Sequence, residues 1–255
     1  MRRIRILRTG TNTGPYNMAL DEALFRHYGK DRDPVLRFYA WDIPTVSLGY
    51  FQRSDIFGAY FGSPHTGLVR RMTGGRAVIH HLELTYSITA GYDDVFAGSK
   101  LTGSYHIIAK MFKKAFARLG INIEVAESAG RSNSPNCFDA ASLYEITLDG
   151  TKIIGSAQYR DADKFIQHGS IVLDIDYPIW SEVYGAGEDS LKNRFRGINA
   201  ISGLTLKAAD VAASIVKAFS DEWDAYDDAP TEDEKKKAEE LDRDKYSSKE
   251  WTLRK

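Results

Sequence analysis

The chain has 255 residues, 43% hydrophobic and 27% charged, the balance of a soluble globular protein with a core large enough to fold unaided. A formal net charge of −1 gives no reason to expect a nucleic-acid or anionic-membrane partner, and no stretch approaches the ~20 apolar residues of a membrane span. "MRRIRILRTG" lacks the apolar run and cleavage site of a signal peptide, and a single cysteine excludes an intrachain disulfide and a cysteine-based zinc site, so the cytoplasm is the expected compartment.

In chain order, "IRILRTG" alternates Ile4 and Ile6 with Arg3 and Arg5 and reads as a half-buried strand. In "YNMALDEALFRHYGK", Met18, Ala19, Leu20, Ala23 and Leu24 recur at helical spacing, and Gly29 fits a C-terminal stop. "PVLRFYAW" and "TVSLGYF" read as strands separated by Asp42 to Pro44. "LTGSYHIIAKMFKKAFARLGI" is an amphipathic helix with Ile107, Ile108, Met111, Phe112, Ala115, Phe116 and Leu119 on its apolar stripe and Gly120 at its end. "INIEVAE" alternates as a strand. "LYEITLDGTKIIGSA" is the clearest hairpin, because Asp149-Gly150 lies between two alternating runs. "FIQHGSIVLDI" is a further strand, "LKAADVAASIVKAFSDEWDAY" a helix ending near Tyr226, and the charged "TEDEKKKAEELDRDKYSSKEW" a solvated helix. Strands in clusters with a few long helices predict an α+β layout with a mixed or antiparallel sheet rather than a doubly wound nucleotide fold.

The densest chemistry lies in "RRMTGGRAVIHHLELTYSITA", Arg70 to Ala90. Gly74 and Gly75 let backbone amides approach a ligand and tolerate positive φ. Arg70, Arg71 and Arg76 flank them and could hold a carboxylate or phosphate. Leu82, Leu84, Tyr86 and Ile88 alternate with Glu83, Thr85, Ser87 and Thr89, as in a strand walling a pocket. A plain glycine turn between two strands, with solvent-facing arginines, explains the same pattern. No phosphate-loop spacing is present. His80 and His81 are adjacent, so on a strand they point to opposite faces, and a metal site is not expected.

Cys137 sits in "GRSNSPNCFDAAS", whose Gly, Ser, Asn and Pro mark a loop, although a free cysteine often merely packs. A nucleophilic thiol needs a positive neighbour to lower its pKa from ~8.5. Lys152 is a candidate. The Asp-Gly turn places it opposite Thr147 at the start of the return strand, on the face away from Ile153. A solvated lysine at a hairpin end is the bland alternative, and spacing leaves both open.

"RRMTGGRAVIHHLELTYS" resembles the signature of the lipoate-protein ligase, octanoyltransferase and biotin ligase superfamily. "GTKIIGSAQYR" followed by "QHGSI" resembles its second signature, with the family lysine at Lys152. The similarity runs from about residue 5 to 220 and takes in "NMALDEAL" near the start and "YSSKEW" near the end. It implies the biotin/lipoate ligase catalytic-domain fold, related to class II aminoacyl-tRNA synthetases. It also implies one catalytic domain over 1–255, with a core to about 226 and a charged tail over 227–255. "CFDAASLYEI" is similar to the cysteine-containing octanoyltransferases of Gram-positive type, departing from them at Ala141 and Leu143, where proline and tryptophan are expected.

That resemblance implies octanoate transfer from octanoyl-acyl carrier protein to a lysine of a lipoyl domain, such as glycine cleavage H protein, through a Cys137 thioester. Lys152 would steady the acyl oxygen. Arg71, Thr73, Gly74, Gly75, Val78, His80, Tyr86, Ser87, Gly155, Ser156, Ala157, His168 and Gly169 would bind substrate, and Val78, Tyr86, Ile88 and Ala157 would wall the acyl tail. No cofactor, metal, nucleic acid or membrane is expected. An ATP-dependent lipoate ligase is the main alternative, and a lipoyl-carrier binding module without turnover is the non-enzymatic one.

Overall fold

The computed structural model describes residues 2–29, 31–92, 101–126 and 145–254. Among them, eight strands form one mixed sheet and three form a smaller one. The chain opens with β1 (Arg3–Asn12), α1 (Gly14–His27), β2 (Val35–Trp41) and β3 (Thr45–Leu48). Next come β4 (Gly67–Arg70), β5 (Val78–His80), β6 (Glu83–Gly91), α2 (Leu101–Arg118) and β7 (Glu124–Ala126). The signature hairpin is β8 (Glu145–Leu148) and β9 (Thr151–Arg160), followed by β10 (Lys164–Val172). Four helices follow, α3 (Tyr177–Tyr184), α4 (Glu188–Arg194), α5 (Ile198–Ser202) and α6 (Ala208–Ser220), then β11 (Asp224–Asp228), α7 (Glu232–Leu241) and α8 (Lys249–Thr252).

The large sheet runs β11-β1-β2-β6-β10-β9-β8-β7. Its first three strands are parallel, because α1 carries the chain back from β1 to β2, and the remainder is antiparallel. The small sheet runs β4-β3-β5. One face of the large sheet packs Leu36, Phe38, Leu84, Tyr86, Ile88 and Ile171 against the apolar stripes of α2 and α6. On the other face Met18, Leu20 and Leu24 of α1 join Leu7, Val35 and Tyr39. The small sheet has its own core with α3 and α4 around Trp180. No described helix is long and apolar enough to cross a membrane.

The mixed sheet, the α2 stripe and the Asp-Gly hairpin agree with expectation. Asp149 and Gly150 have φ of 51° and 68°, the left-handed pair of a type I′ turn. Other boundaries differ. Helix α1 ends at His27, with Tyr28 extended, before Gly29 is reached. Leu82 has φ 52° and lies 48% exposed in the turn before β6, so it is not a strand residue. The helix expected to run to Tyr226 stops at Ser220, and Ala225 and Tyr226 instead add β11 alongside β1, a pairing set by residues more than 200 positions away.

The tail departs most from a solvated helix. Thr231 and Glu234 form a reciprocal cap that starts α7. Glu234 then accepts from Arg5 at 2.9 Å, and Ala238, Leu241 and Tyr246 enter the α1 core. The i, i+4, i+7 spacing of Glu234, Ala238 and Leu241 is a buried stripe. It is hard to see in sequence because its first member is charged and most of its neighbours are too.

Candidate active site

The two sheets face each other across a cavity of about 340 Å³, open mouth included. Its wall takes Met18 from α1, Tyr39 from β2, Ser47 from β3, Val78 and His80 from β5 and Thr85 from β6. It also takes Gly155, Ser156 and Ala157 from β9, His168, Gly169 and Ser170 from β10, and Arg71. Gly169 is required by space, since a Cβ there would lie 2.6 Å from the Gly155 carbonyl oxygen and 2.8 Å from the Tyr86 ring.

A chain of buried polar groups backs this wall. Asp21, 1% exposed, accepts from Arg37 Nη1 at 2.6 Å and Ser87 Oγ at 2.8 Å on one oxygen. On the other it accepts from Tyr39 OH and His168 Nδ1, each at 2.9 Å. Burial pushes the carboxyl pKa up, but Arg37, His168 and Ser87 outweigh it and hold Asp21 below the usual carboxylate range. Beside an ionised Asp21, Nδ1 carries the His168 proton. The Thr73 hydroxyl, 2.7 Å from Nε2, therefore donates to the ring while accepting from Arg71 Nε at 3.1 Å. His80 stacks on Trp41 with centroids 4.0 Å apart, and its Nε2 lies 2.8 Å from Ser47 Oγ. Burial pushes the His80 pKa down, with Glu83 opposing.

Two of the three arginines are not solvent-facing, while Arg76 is half-buried. Arg70 and Arg71 are 0% and 4% exposed. Arg71 donates to the carbonyls of Ser47, Gly74 and Arg76 at 2.6, 2.9 and 2.7 Å. It thus braces the glycine loop from inside, and these donors are not aimed at an anion. The loop does not join adjacent strands either, because β3 lies between β4 and β5. Gly75 has φ +90°, so its amide plane takes an orientation that side-chain-bearing residues rarely adopt.

Lys152 is buried rather than solvated: its side chain is 6% exposed and Nζ lies 3.2 Å from Glu145 Oε1. A bulge explains its direction. Ile146 pairs with Ile154 but Thr147 with Lys152, so Ile153 is the extra residue, and both Ile153 and Ile154 join the α2 core. Lys152 and Glu145 consequently fall on the opposite face of the sheet, the one that carries Gly155, Ala157 and His168. At about 3.3 Å per residue, Lys152 lies roughly 10 Å along β9 from Gly155, beyond the cavity wall.

Of the expected substrate-binding residues, Arg71, Val78, His80, Gly155, Ser156, Ala157, His168 and Gly169 line the cavity. Thr73 adjoins it through His168, and Gly74 and Gly75 form the loop that Arg71 holds. Tyr86 and Ile88 are not wall residues. Strand alternation turns them to the α2 side, where Tyr86 OH meets Ser156 Oγ at 2.8 Å and Gln167 Nε2 at 2.7 Å. Ser87 faces the cavity side but is occupied by Asp21. Cys137 lies outside the described residues. Met18, Asp21, Tyr39, Ser47, Thr85 and Ser170 were not expected. Asp21 had a visible signal, a carboxylate three residues after Met18 on the buried stripe of α1. Among the described residues no cluster of three or more His, Cys, Asp or Glu could hold a metal.

Comparison with known proteins gives this cavity a setting. An octanoyltransferase named LipM from Moorella thermoacetica is 38% identical over 268 residues, covering 98% of this chain and 97% of that protein. The LipM octanoyltransferase of Brevibacillus brevis is 34% identical, with complete coverage of both. A crystal structure of lipoate-protein ligase A bound with ATP superposes with a TM-score of 0.82 at 25% identity, covering 99% and 98% of the two chains. A lipoate protein ligase of T. acidophilum, described as putative and holding lipoic acid, gives 0.80 at 25% identity with the same coverage. Residues 13–220, which include the small sheet, all of the large sheet but its strands β1 and β11, and every residue that lines the cavity, match one family throughout, and the chain belongs to the lipoyl protein ligase A/B catalytic domain family.

Proposed function

We propose that this chain is an octanoyltransferase of lipoate biosynthesis. It takes octanoate from octanoyl-acyl carrier protein and passes it to a lysine of a lipoyl-domain protein, such as glycine cleavage H protein, in the cytoplasm. The observation that carries the reading is the end-to-end match to proteins named octanoyltransferase at 34–38% identity. The buried Lys152 on the cavity face of the sheet supports it.

In this reading the Cys137 thiolate attacks the carbonyl carbon of the donor thioester, and the carrier's thiolate leaves with a proton. The acceptor lysine's amine then attacks the octanoyl-Cys137 thioester, forming the amide, expelling the Cys137 thiolate and losing a proton. Dividing the transfer this way spares the site from holding two protein substrates at once. The Lys152 ammonium, poised by Glu145, donates a hydrogen bond to the acyl oxygen as negative charge gathers there, with glycine-loop amides as further donors. Each buried methylene contributes ~0.8 kcal/mol, so the octanoyl tail supplies about 5 kcal/mol of binding. Residues 1–255 act as one catalytic unit, tail included.

The test is incubation with octanoyl-acyl carrier protein without nucleotide, followed by intact-mass measurement. One octanoyl group should appear on the parent and none on Cys137→Ala, while Lys152→Ala should be slow to acylate but melt as a folded protein. Parental transfer by Cys137→Ala would sink the covalent route. Transfer of free octanoate only with ATP and Mg²⁺ would make the chain a ligase.

A further inference from the structure

We propose that Arg70 is a positioning residue through which the C-terminal helix α8 sets the shape of the glycine loop at the active site. The inference rests on the reading of the cavity as that site. Arg70 is 0% exposed, and its guanidinium reaches five carbonyl oxygens among the described residues. Three belong to the turn after β3: Gly49 at 2.7 Å, Tyr50 at 3.3 Å and Gln52 at 2.6 Å. Two belong to the tail: Thr252 at 3.1 Å and Arg254 at 2.9 Å. In return, Trp251 Nε1 donates to the Arg70 carbonyl at 2.8 Å. Arg254 caps the assembly from outside, 3.7 Å above the Tyr50 ring and 3.9 Å above that of Trp251.

The turn that Arg70 holds is also the support of the glycine loop. Tyr50 N donates to the Thr73 carbonyl at 2.8 Å, and Arg71 N donates to that of Leu48 at 3.0 Å. A Cβ on Gly49 would sit 1.8 Å from the Gly75 carbonyl oxygen, so the two segments lie in backbone contact. A buried guanidinium held by carbonyl dipoles depends on each of them, and the tail supplies two of the five, Thr252 from α8 and Arg254 just after it. Removing that support leaves the cation under-solvated and lets the 49–52 turn relax, and the loop leaning on it follows. The tail lies beyond residues 13–220, which match the family model.

The experiment compares the full chain with Arg70→Lys and with Trp251→Phe, which keeps an aromatic ring but loses the N–H donor and part of the indole's area. Arg70→Lys keeps the charge and loses the fork. We expect kcat for octanoyl transfer to fall about 10- to 100-fold in Arg70→Lys, the scale of a small misplacement of reacting groups, with KM for the acyl donor within about 2-fold. Trp251→Phe should show a smaller fall of the same kind. Amide hydrogen exchange at Tyr50 and Arg71 should speed up in both, while exchange in β6 and β10 stays at the parental rate. A merely structural role would lower the melting temperature and leave kcat per folded molecule and exchange at Tyr50 unchanged, and that result overturns the proposal. The exchange measurement needs no substrate. A parent that fails to transfer octanoate therefore refutes the assigned function and leaves the clasp still under test.

Discussion

Asp21→Asn is the sharpest probe of the network behind the cavity. Both carboxylate oxygens of Asp21 accept two hydrogen bonds, so an amide nitrogen at either position meets two donors. On the Arg37–Ser87 side, the guanidinium N–H at 2.6 Å cannot turn away. On the Tyr39–His168 side, the hydroxyl can rotate and the imidazole can move its proton to Nε2, so the amide settles there. Arg37, 0% exposed, then keeps Asn17 and Thr9 as neutral acceptors but loses its counter-charge. Leaving a buried charge uncompensated costs 3–5 kcal/mol, and the surviving acceptors argue for about 3. For a chain of this size each kcal/mol lowers Tm by about 2–4 °C, so a fall of roughly 6–12 °C is expected by calorimetry.

Nitrogen-15 NMR of His168 should report the tautomer change, and the double variant with Arg37→Met should recover much of the loss. The Asp21 pKa is depressed in the fold, so its contribution is complete above the unfolded value of ~3.9 and fades as pH falls below it. Asp21→Asn should lack that acid-side slope. A Tm within about 2 °C of the parent, with His168 unchanged, would refute the reasoning.

Gly169→Ala should place a methyl against the Gly155 carbonyl and the Tyr86 ring, lowering Tm by several degrees and weakening donor binding more than Ala157→Gly does. His80 has a depressed pKa in the folded state, so the unfolded chain binds the extra proton first. Stability should therefore fall as pH drops below the unfolded value of ~6.5, and His80→Gln should flatten that part of a Tm-against-pH curve.

What the sequence revealed follows from how local each feature is. The Asp-Gly turn fixes the pairing of Thr147 with Lys152 through two adjacent residues, and it could be read directly. The α2 stripe was equally plain. Tyr86 was expected to wall the acyl pocket and lies on the α2 side instead, because alternation says which residues share a face but not which face turns to the cavity. That choice belongs to α2, which covers the other side. Arg70 and Arg71 looked like an anion clamp because nothing local to "RRMTGG" shows Ser47, Gly49 or Thr252 closing on their donors. The strand at Ala225 and the burial of Tyr246 depend on β1 and α1 across the full length of the chain. Residues 127–144, with Cys137 among them, lie outside the described structure, so the thiol's place is argued from sequence and kinship.

The extra isoleucine in β9 makes the lysine's direction a question of odd or even. Unbroken alternation back from Ile154 through Ile153 would send the ammonium toward Ile146 and Ile154, into hydrocarbon that offers no counter-ion. The bulge turns Ile153 and Ile154 to the same side, and the charge emerges beside Glu145 instead. The chemistry assigned to Lys152 is thus encoded partly in a neighbour that never meets substrate, and a screen of side chains touching the ligand would pass over it.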